Sequence, residues 1–225
     1  MKKLFILSLV ALSTLTVNAQ RKKTRANTSQ GNWALRLGAG YNSNTVDPTY
    51  LTKVDIYSKT NSTNFTPSVG YFVSDNLEIG IKFDVNSTKV NSTFNDSTIE
   101  NKNNSVGFGI YGLKYFPVNN WFAFTGGLEL GLMNGTGNLQ TFKYTKYYTV
   151  GYTTNSFGGA ANFGMAFTPV NRLAIQANII GLGAQSGTIQ NEDNTPDVNT
   201  SNFGLNVWRA SSSVSLVWYF GHGLE

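Results

Sequence analysis

Apolar residues recur at every second position along most of this chain. That period belongs to extended strands with two distinct faces and leaves no stripe for an amphipathic helix. From Trp33, the residues Leu35, Leu37, Ala39 and Tyr41 alternate with Ala34, Arg36, Gly38 and Gly40. Phe65, Val69, Tyr71 and Val73 lead into Ser74-Asp75-Asn76, and Leu77, Ile79, Ile81, Phe83 and Val85 return with the same period. Two such runs around a polar turn predict a hairpin. Further strands are expected over about 105–116, 122–132, 157–167, 173–179 and 203–220.

The connections between these strands are unequal in a regular way. Those near 74–76, 117–120 and 169–172 are short and rich in Pro, Asn and Asp, whereas those near 43–62, 86–104, 133–155 and 184–202 are long and dominated by Asn, Ser, Thr and Gly. Strict alternation of short and long places all short turns at one end of an antiparallel sheet and all long loops at the other. The expected fold is therefore all-β: an eight-stranded antiparallel up-and-down transmembrane β-barrel with short periplasmic turns and long extracellular loops.

A soluble eight-stranded barrel shares the period, but it needs a hydrated exterior. Only 13% of the residues are charged, about half the level of a soluble domain. The face opposite the apolar one is mainly Gly, Ala, Ser and Asn, small residues that suit a narrow lumen. Phe122, Phe124, Leu128, Leu130, Phe163, Met165, Phe167, Val214, Leu216 and Trp218 then meet lipid.

The flanks of this region are read as follows. Residues 1–19 carry Lys2-Lys3, an apolar run from Leu4 to Leu15, and Val17-Asn18-Ala19 before Gln20, the pattern of a secretory signal peptide cut after Ala19. A basic periplasmic tail spans 20–31, the barrel 32–220 and a C-terminal tail 221–225. The apolar run is too short for a transmembrane helix. The net charge of +5 is concentrated outside the barrel: six of the 17 basic residues are Lys2, Lys3, Arg21, Lys22, Lys23 and Arg25, and the remaining 11 face 12 acidic residues. Without a basic stripe on the body, no nucleic-acid partner is expected.

Charges within the strands are expected to face inward, because a Lys or Arg at mid-depth in lipid costs about 2–4 kcal/mol. The candidate lumenal polar network comprises Arg36, Glu78, Lys82, Asp84, Lys114, Glu129 and Arg209. Both signs occur, so ion pairs filling the interior are favoured over a single-sign ion pathway. Phe108 and Ile110 share parity with Lys114, which predicts a bulge near Gly112. Aromatic residues beside the short turns form a candidate interfacial girdle: Trp33, Tyr71, Tyr115, Trp121, Phe122, Phe167, Trp218 and Phe220.

Few residues offer chemistry. His222 is the only histidine and cysteine is absent, so neither a Ser-His-Asp triad nor a multi-histidine metal site can be assembled. Asp47, Asp55, Asp96, Glu192, Asp193 and Asp197 are spread over separate long loops and read as solvated. No catalytic residue, metal or cofactor is expected.

The segments Ala19-Gln20, Tyr111-Gly112-Leu113-Lys114-Tyr115-Phe116-Pro117 and Val214-Ser215-Leu216-Val217-Trp218-Tyr219-Phe220 resemble the small outer-membrane β-barrel family widespread in Bacteroidota, which is similar in architecture to the OmpX and OmpA transmembrane domains. The resemblance covers about residues 32–220. It implies an outer-membrane porin-family protein whose last strand resembles the signal read by the barrel-assembly machinery, although here Gly221-His222-Gly223-Leu224-Glu225 follows the final aromatic. The expected role is a monomeric structural or adhesive barrel in contact with outer-membrane lipid. Its lumen is plugged and its loops are open to an unidentified extracellular ligand. The alternative is a narrow pore or a conduit for small hydrophobic molecules.

Overall fold

A computed structural model describes residues 28–46, 56–94, 97–143, 146–191, 198–207 and 213–221. The expected leader, most of the basic tail, the six loop carboxylates, Arg209 and His222 lie outside the described residues. The strands are β1 (Trp33–Val46), β2 (Ile56–Ser74), β3 (Leu77–Phe94), β4 (Ser97–Pro117), β5 (Phe122–Lys143), β6 (Lys146–Val170), β7 (Leu173–Asn191), β8 (Val198–Val207) and β9 (Ser213–Phe220). All ladders are antiparallel, and each strand from β1 to β7 pairs with its successor. β9 pairs with both β1 and the lower half of β7, so the sheet closes on itself. β8 lies along the upper half of β7. The eighth strand expected over 203–220 is thus described as two segments in succession, flanking residues 208–212.

Alternation sorts the two faces of the wall. Leu35, Ile79, Ile81, Phe108, Ile110, Leu128, Leu130, Leu132, Leu216 and Trp218 all point outward and are exposed, Leu128 most of all at 69%. The inner face is built from Gly, Ala, Ser, Thr, a few large polar residues and a buried cluster that includes Phe72, Tyr115, Val217 and Tyr219. A continuous apolar exterior of this size is incompatible with water, and it forms the lipid-facing band of a membrane barrel.

The extracellular half departs from expectation. Segments read as long loops are strand: β5 and β6 continue until only residues 144–145 separate them, and β3 and β4 until only 95–96 do. At 18 to 25 residues, β3 to β7 far exceed the 9–11 needed to cross a bilayer. Hydroxyl and amide side chains bond across these extensions on both faces, as in Ser62–Thr88 at 3.1 Å, Ser43–Asn61 at 2.8 Å and Ser87–Asn104 at 2.7 Å.

Two local features position the interior. The expected bulge near Gly112 is absent, since β4 keeps an unbroken register with β3 and β5 through that residue. A register shift falls instead in β7, where Phe163 pairs with Ile180 and Gly164 with Asn178, leaving Ile179 as the extra residue. Below this bulge Ala174 and Gln176 point inward, and above it Ile180 and Leu182 point outward. At the periplasmic mouth, residues 28–32 run beside the β2–β3 turn. Thr28 Oγ1 donates to Asn76 Oδ1 at 2.6 Å, Asn76 N donates to the Thr28 carbonyl at 2.7 Å, and Gln30 N donates to Asp75 Oδ1 at 3.0 Å. Asn76 adopts a φ of 62°, a left-handed conformation that Asn tolerates in tight turns.

Candidate functional site

The lumen is filled in layers from the periplasmic end. The lowest layer is aromatic: Phe72 from β2 packs against Tyr115 from β4 and Tyr219 from β9, with ring centroids 5.7 and 6.0 Å apart. Ala34, Ala123, Ala166, Ala174 and Val217 surround them, all at most 4% exposed. Alanine on the neighbouring strands leaves the volume that the three large rings occupy.

Directly above lies an ion pair with a complete set of partners. Arg36 Nη2 donates to both Glu78 oxygens, at 3.1 and 2.9 Å, and to Tyr115 Oη at 3.2 Å. Arg36 Nη1 donates to Tyr111 Oη at 2.9 Å and to Ser68 Oγ at 3.3 Å, and Nε donates to Gln176 Oε1 at 3.1 Å. Tyr111 and Tyr115 in turn donate to the Glu78 carboxylate, at 2.5 and 3.0 Å. Glu78 is fully buried. Every guanidinium nitrogen and both carboxylate oxygens are engaged, the condition under which a buried ion pair survives desolvation. Small residues make the approach possible: a Cβ at Gly70 would collide with the Glu78 carboxylate, and one at Gly80 would stand 2.5 Å from the Tyr111 ring.

A third layer is more open. Lys82 Nζ lies 2.9 Å from Glu129 Oε2 and 3.2 Å from Asp84 Oδ2, and Thr66 Oγ1 donates to Asp84 at 3.0 Å. Between this cluster and the Arg36 layer is a cavity of about 240 Å³, bordered also by Asn64, Asn162 and Asn178. A second cavity of about 320 Å³ shares Lys82, Asp84 and Glu129 and is walled on the other side by Gly131, Gly158, Ala160 and Gly183. Among the described residues, no group of three or more His, Cys, Asp and Glu gathers as a metal site.

Of the residues expected in the lumenal network, Arg36, Glu78, Lys82, Asp84 and Glu129 are brought together inside the barrel, in two clusters. Lys114 is not among them. It shares the outward parity of Phe108 and Ile110, and its Nζ donates to the Asp75 carbonyl at 3.2 Å at the periplasmic rim. A lysine can sit there because its stem covers apolar wall while its ammonium reaches the interface. Arg209 lies outside the described residues. Tyr111, Gln176 and Ser68 complete the site although their residue types did not mark them. Parity could have found Tyr111, since an outward Phe108 and Ile110 require an inward Tyr111 and Tyr115.

The girdle needs the same correction. Trp33, Tyr71, Trp121, Phe167, Trp218 and Phe220 are exposed on the outer wall and Phe122 partly so. Trp33 packs on Tyr71 at 5.1 Å and Trp121 on Phe167 at 5.4 Å. Tyr115, at 1% exposure, belongs to the lumen.

Comparison with solved structures gives matches at low sequence identity, one of which shares this fold. The outer membrane protein OprG of Pseudomonas aeruginosa matches with a TM-score of 0.53 at 12% identity, covering 88% of this chain and 100% of that one. A major outer membrane protein of Thermus thermophilus matches with a TM-score of 0.44 at 8% identity, over 84% of this chain and 99% of that one. The outer membrane protein Ail of Yersinia pestis matches with a TM-score of 0.30 at 15% identity, over 85% and 100%. No curated protein sequence matches significantly. The model of the outer membrane protein beta-barrel domain matches residues 7–208. With its closed antiparallel wall and apolar exterior, the chain belongs to the outer membrane protein beta-barrel domain family and resides in the bacterial outer membrane.

Proposed function

We propose that this outer-membrane barrel is a sealed, non-catalytic one, with a structural or adhesive role carried by the polar wall that stands above the membrane. The single observation that carries this reading is the pair of stacked lumenal layers: the Arg36–Glu78 pair with all its polar atoms engaged, over a floor of Phe72, Tyr115 and Tyr219 at no more than 1% exposure. An ion crossing there would have to separate a buried pair and leave each charge without its partner. The chain works as a monomer, loses residues 1–19 on export, and is delivered to the barrel-assembly machinery through the alternating strand that ends at Phe220. The resemblance to small barrels of Bacteroidota and to the OmpX and OmpA domains supports the same reading.

The second reading, a narrow pore or conduit, draws on the cavities around Lys82, which leave space above the sealed layers. Single-channel recording in planar bilayers separates the two, using only protein that shows the heat-dependent gel shift of a folded barrel. The sealed reading predicts no steady conductance. Reproducible open levels would overturn it and make Lys82, Asp84 and Glu129 the lining of a pathway.

A further inference from the structure

Above the apolar band, the outer wall carries its charges in one place. On β2–β4 the last outward apolar row is Phe65, Val85 and Val106, which are register partners, and the next row is Thr63, Ser87 and Asn104. One row higher, Lys89 stands directly opposite Lys102 across the β3–β4 ladder. Glu100 bridges both, at 2.6 Å to Lys89 and 2.9 Å to Lys102. Lys59 shares the outward parity and neighbours Asn91, whose other partner is Glu100. Among the described side chains these four are the only charges on the outer wall above the band. Three ammonium groups against one carboxylate leave the cluster with a surplus of two positive charges.

The arrangement is costly without a partner. Like charges directly opposed in an antiparallel pair are destabilising, and one carboxylate is shared between the opposed lysines. Their side chains remain 41% and 57% exposed, so they are free to meet an anion. Lys89 and Lys102 lie four residues above the band, about 13 Å along the strand and about 10 Å in height at the tilt usual for such barrels. The headgroup zone begins at the edge of the hydrocarbon, and lysine stems reach back towards it. We propose that Lys59, Lys89 and Lys102 form a docking site for the phosphate groups of phosphorylated glycolipid in the outer leaflet. The site fixes which side of the barrel faces a tightly held lipid.

The test uses the full chain folded into phosphatidylcholine nanodiscs containing lipopolysaccharide, with dephosphorylated lipopolysaccharide as the paired control, and native mass spectrometry of the glycolipid retained by the barrel. The expected result is selective retention of the phosphorylated form. Replacing both Lys89→Gln and Lys102→Gln should weaken retention by roughly 25-fold, about fivefold for each charge, and Glu100→Gln should strengthen it. Equal retention of both glycolipids, or retention unchanged in the double variant, would overturn the proposal. Displacement of the glycolipid by inorganic phosphate at comparable concentration would assign the site to free phosphate instead and overturn the lipid assignment. Heat-modifiable mobility of each variant establishes folding beforehand, and Lys59→Gln, made outside the opposed pair, supplies a second readout with a smaller loss in the same direction.

Discussion

The lower and upper halves of this barrel use one backbone plan under opposite solvent conditions. In the lower half the two faces of each strand meet different environments, lipid outside and a packed interior inside, so large apolar residues and small or paired polar residues separate by parity. In the upper half neither face meets hydrocarbon. There Ser62 and Thr88 share a hydrogen bond on the lumenal side while Ser87 and Asn104 share one on the outer side. Hydrophobic alternation therefore reports a contrast between two faces, and a strand with no contrast leaves no such trace. Backbone pairing continues regardless, because each added rung joins donors and acceptors already aligned by the rung below.

The buried pair in the lower half carries the largest expected effect. Glu78→Ala should cost about 3–5 kcal/mol by leaving Arg36 charged and unpaired. Urea unfolding of the refolded barrel in micelles should show this as a lowered midpoint, and the double change Arg36→Met with Glu78→Leu should recover part of the loss. Next in size is the lipid face: Leu128→Arg should cost about 2–4 kcal/mol, whereas Asn104→Arg, outward in the upper half, should stay within about 0.5 kcal/mol. A cost for Asn104→Arg as large as that for Leu128→Arg would place the membrane boundary higher than the apolar rows do. Ser62→Ala, which removes one cross-strand hydroxyl pair, should cost about 0.2–1 kcal/mol by the same assay.

The smallest effect depends on pH and belongs to the upper half. Hydrogen bonds from Lys89 and Lys102 hold the Glu100 carboxyl below the ordinary carboxylate range. A depressed value means that the ionised form stabilises the fold fully above the ordinary range and that this contribution disappears as the pH falls through the lowered value. Hydrogen-exchange protection factors at the top of β3 and β4 should therefore fall in acid. Glu100→Gln should abolish the pH dependence, and its persistence in that variant would assign it elsewhere.

Much of the lower half was legible in the sequence because its energetic penalties are large. Charges at Arg36, Glu78, Lys82, Asp84 and Glu129 could be placed inward from the cost of lipid exposure alone. Lys114 escapes that rule because depth matters: near the periplasmic rim the penalty falls to about 0–1 kcal/mol, and the strand frame set by Phe108 and Ile110 decides. Tyr115 was drawn to the girdle by residue type against that same frame. Ser68, Tyr111 and Gln176 were missed because a neutral polar side chain carries too small a penalty to reveal its partner. The bulge at Ile179 did leave a mark, two adjacent apolar residues where alternation allows one. The upper strands resemble loops in sequence because Asn, Ser, Thr and Gly are also the vocabulary of turns, and only long-range pairing distinguishes the two.

The claim that unites these observations is a lumen sealed at the Arg36 layer and open above it, and the absence of native cysteine makes it directly testable. Single cysteines would be placed at Asn64, which borders the cavity above the seal, and at Ala34, which is fully buried below it. Folded protein in oriented vesicles would be exposed to a membrane-impermeant maleimide from the extracellular side. The account predicts rapid labelling of Asn64→Cys and none of Ala34→Cys within the same time. Labelling of both at the same rate would contradict it, because the reagent would then have passed the layer that Arg36 and Glu78 are said to close.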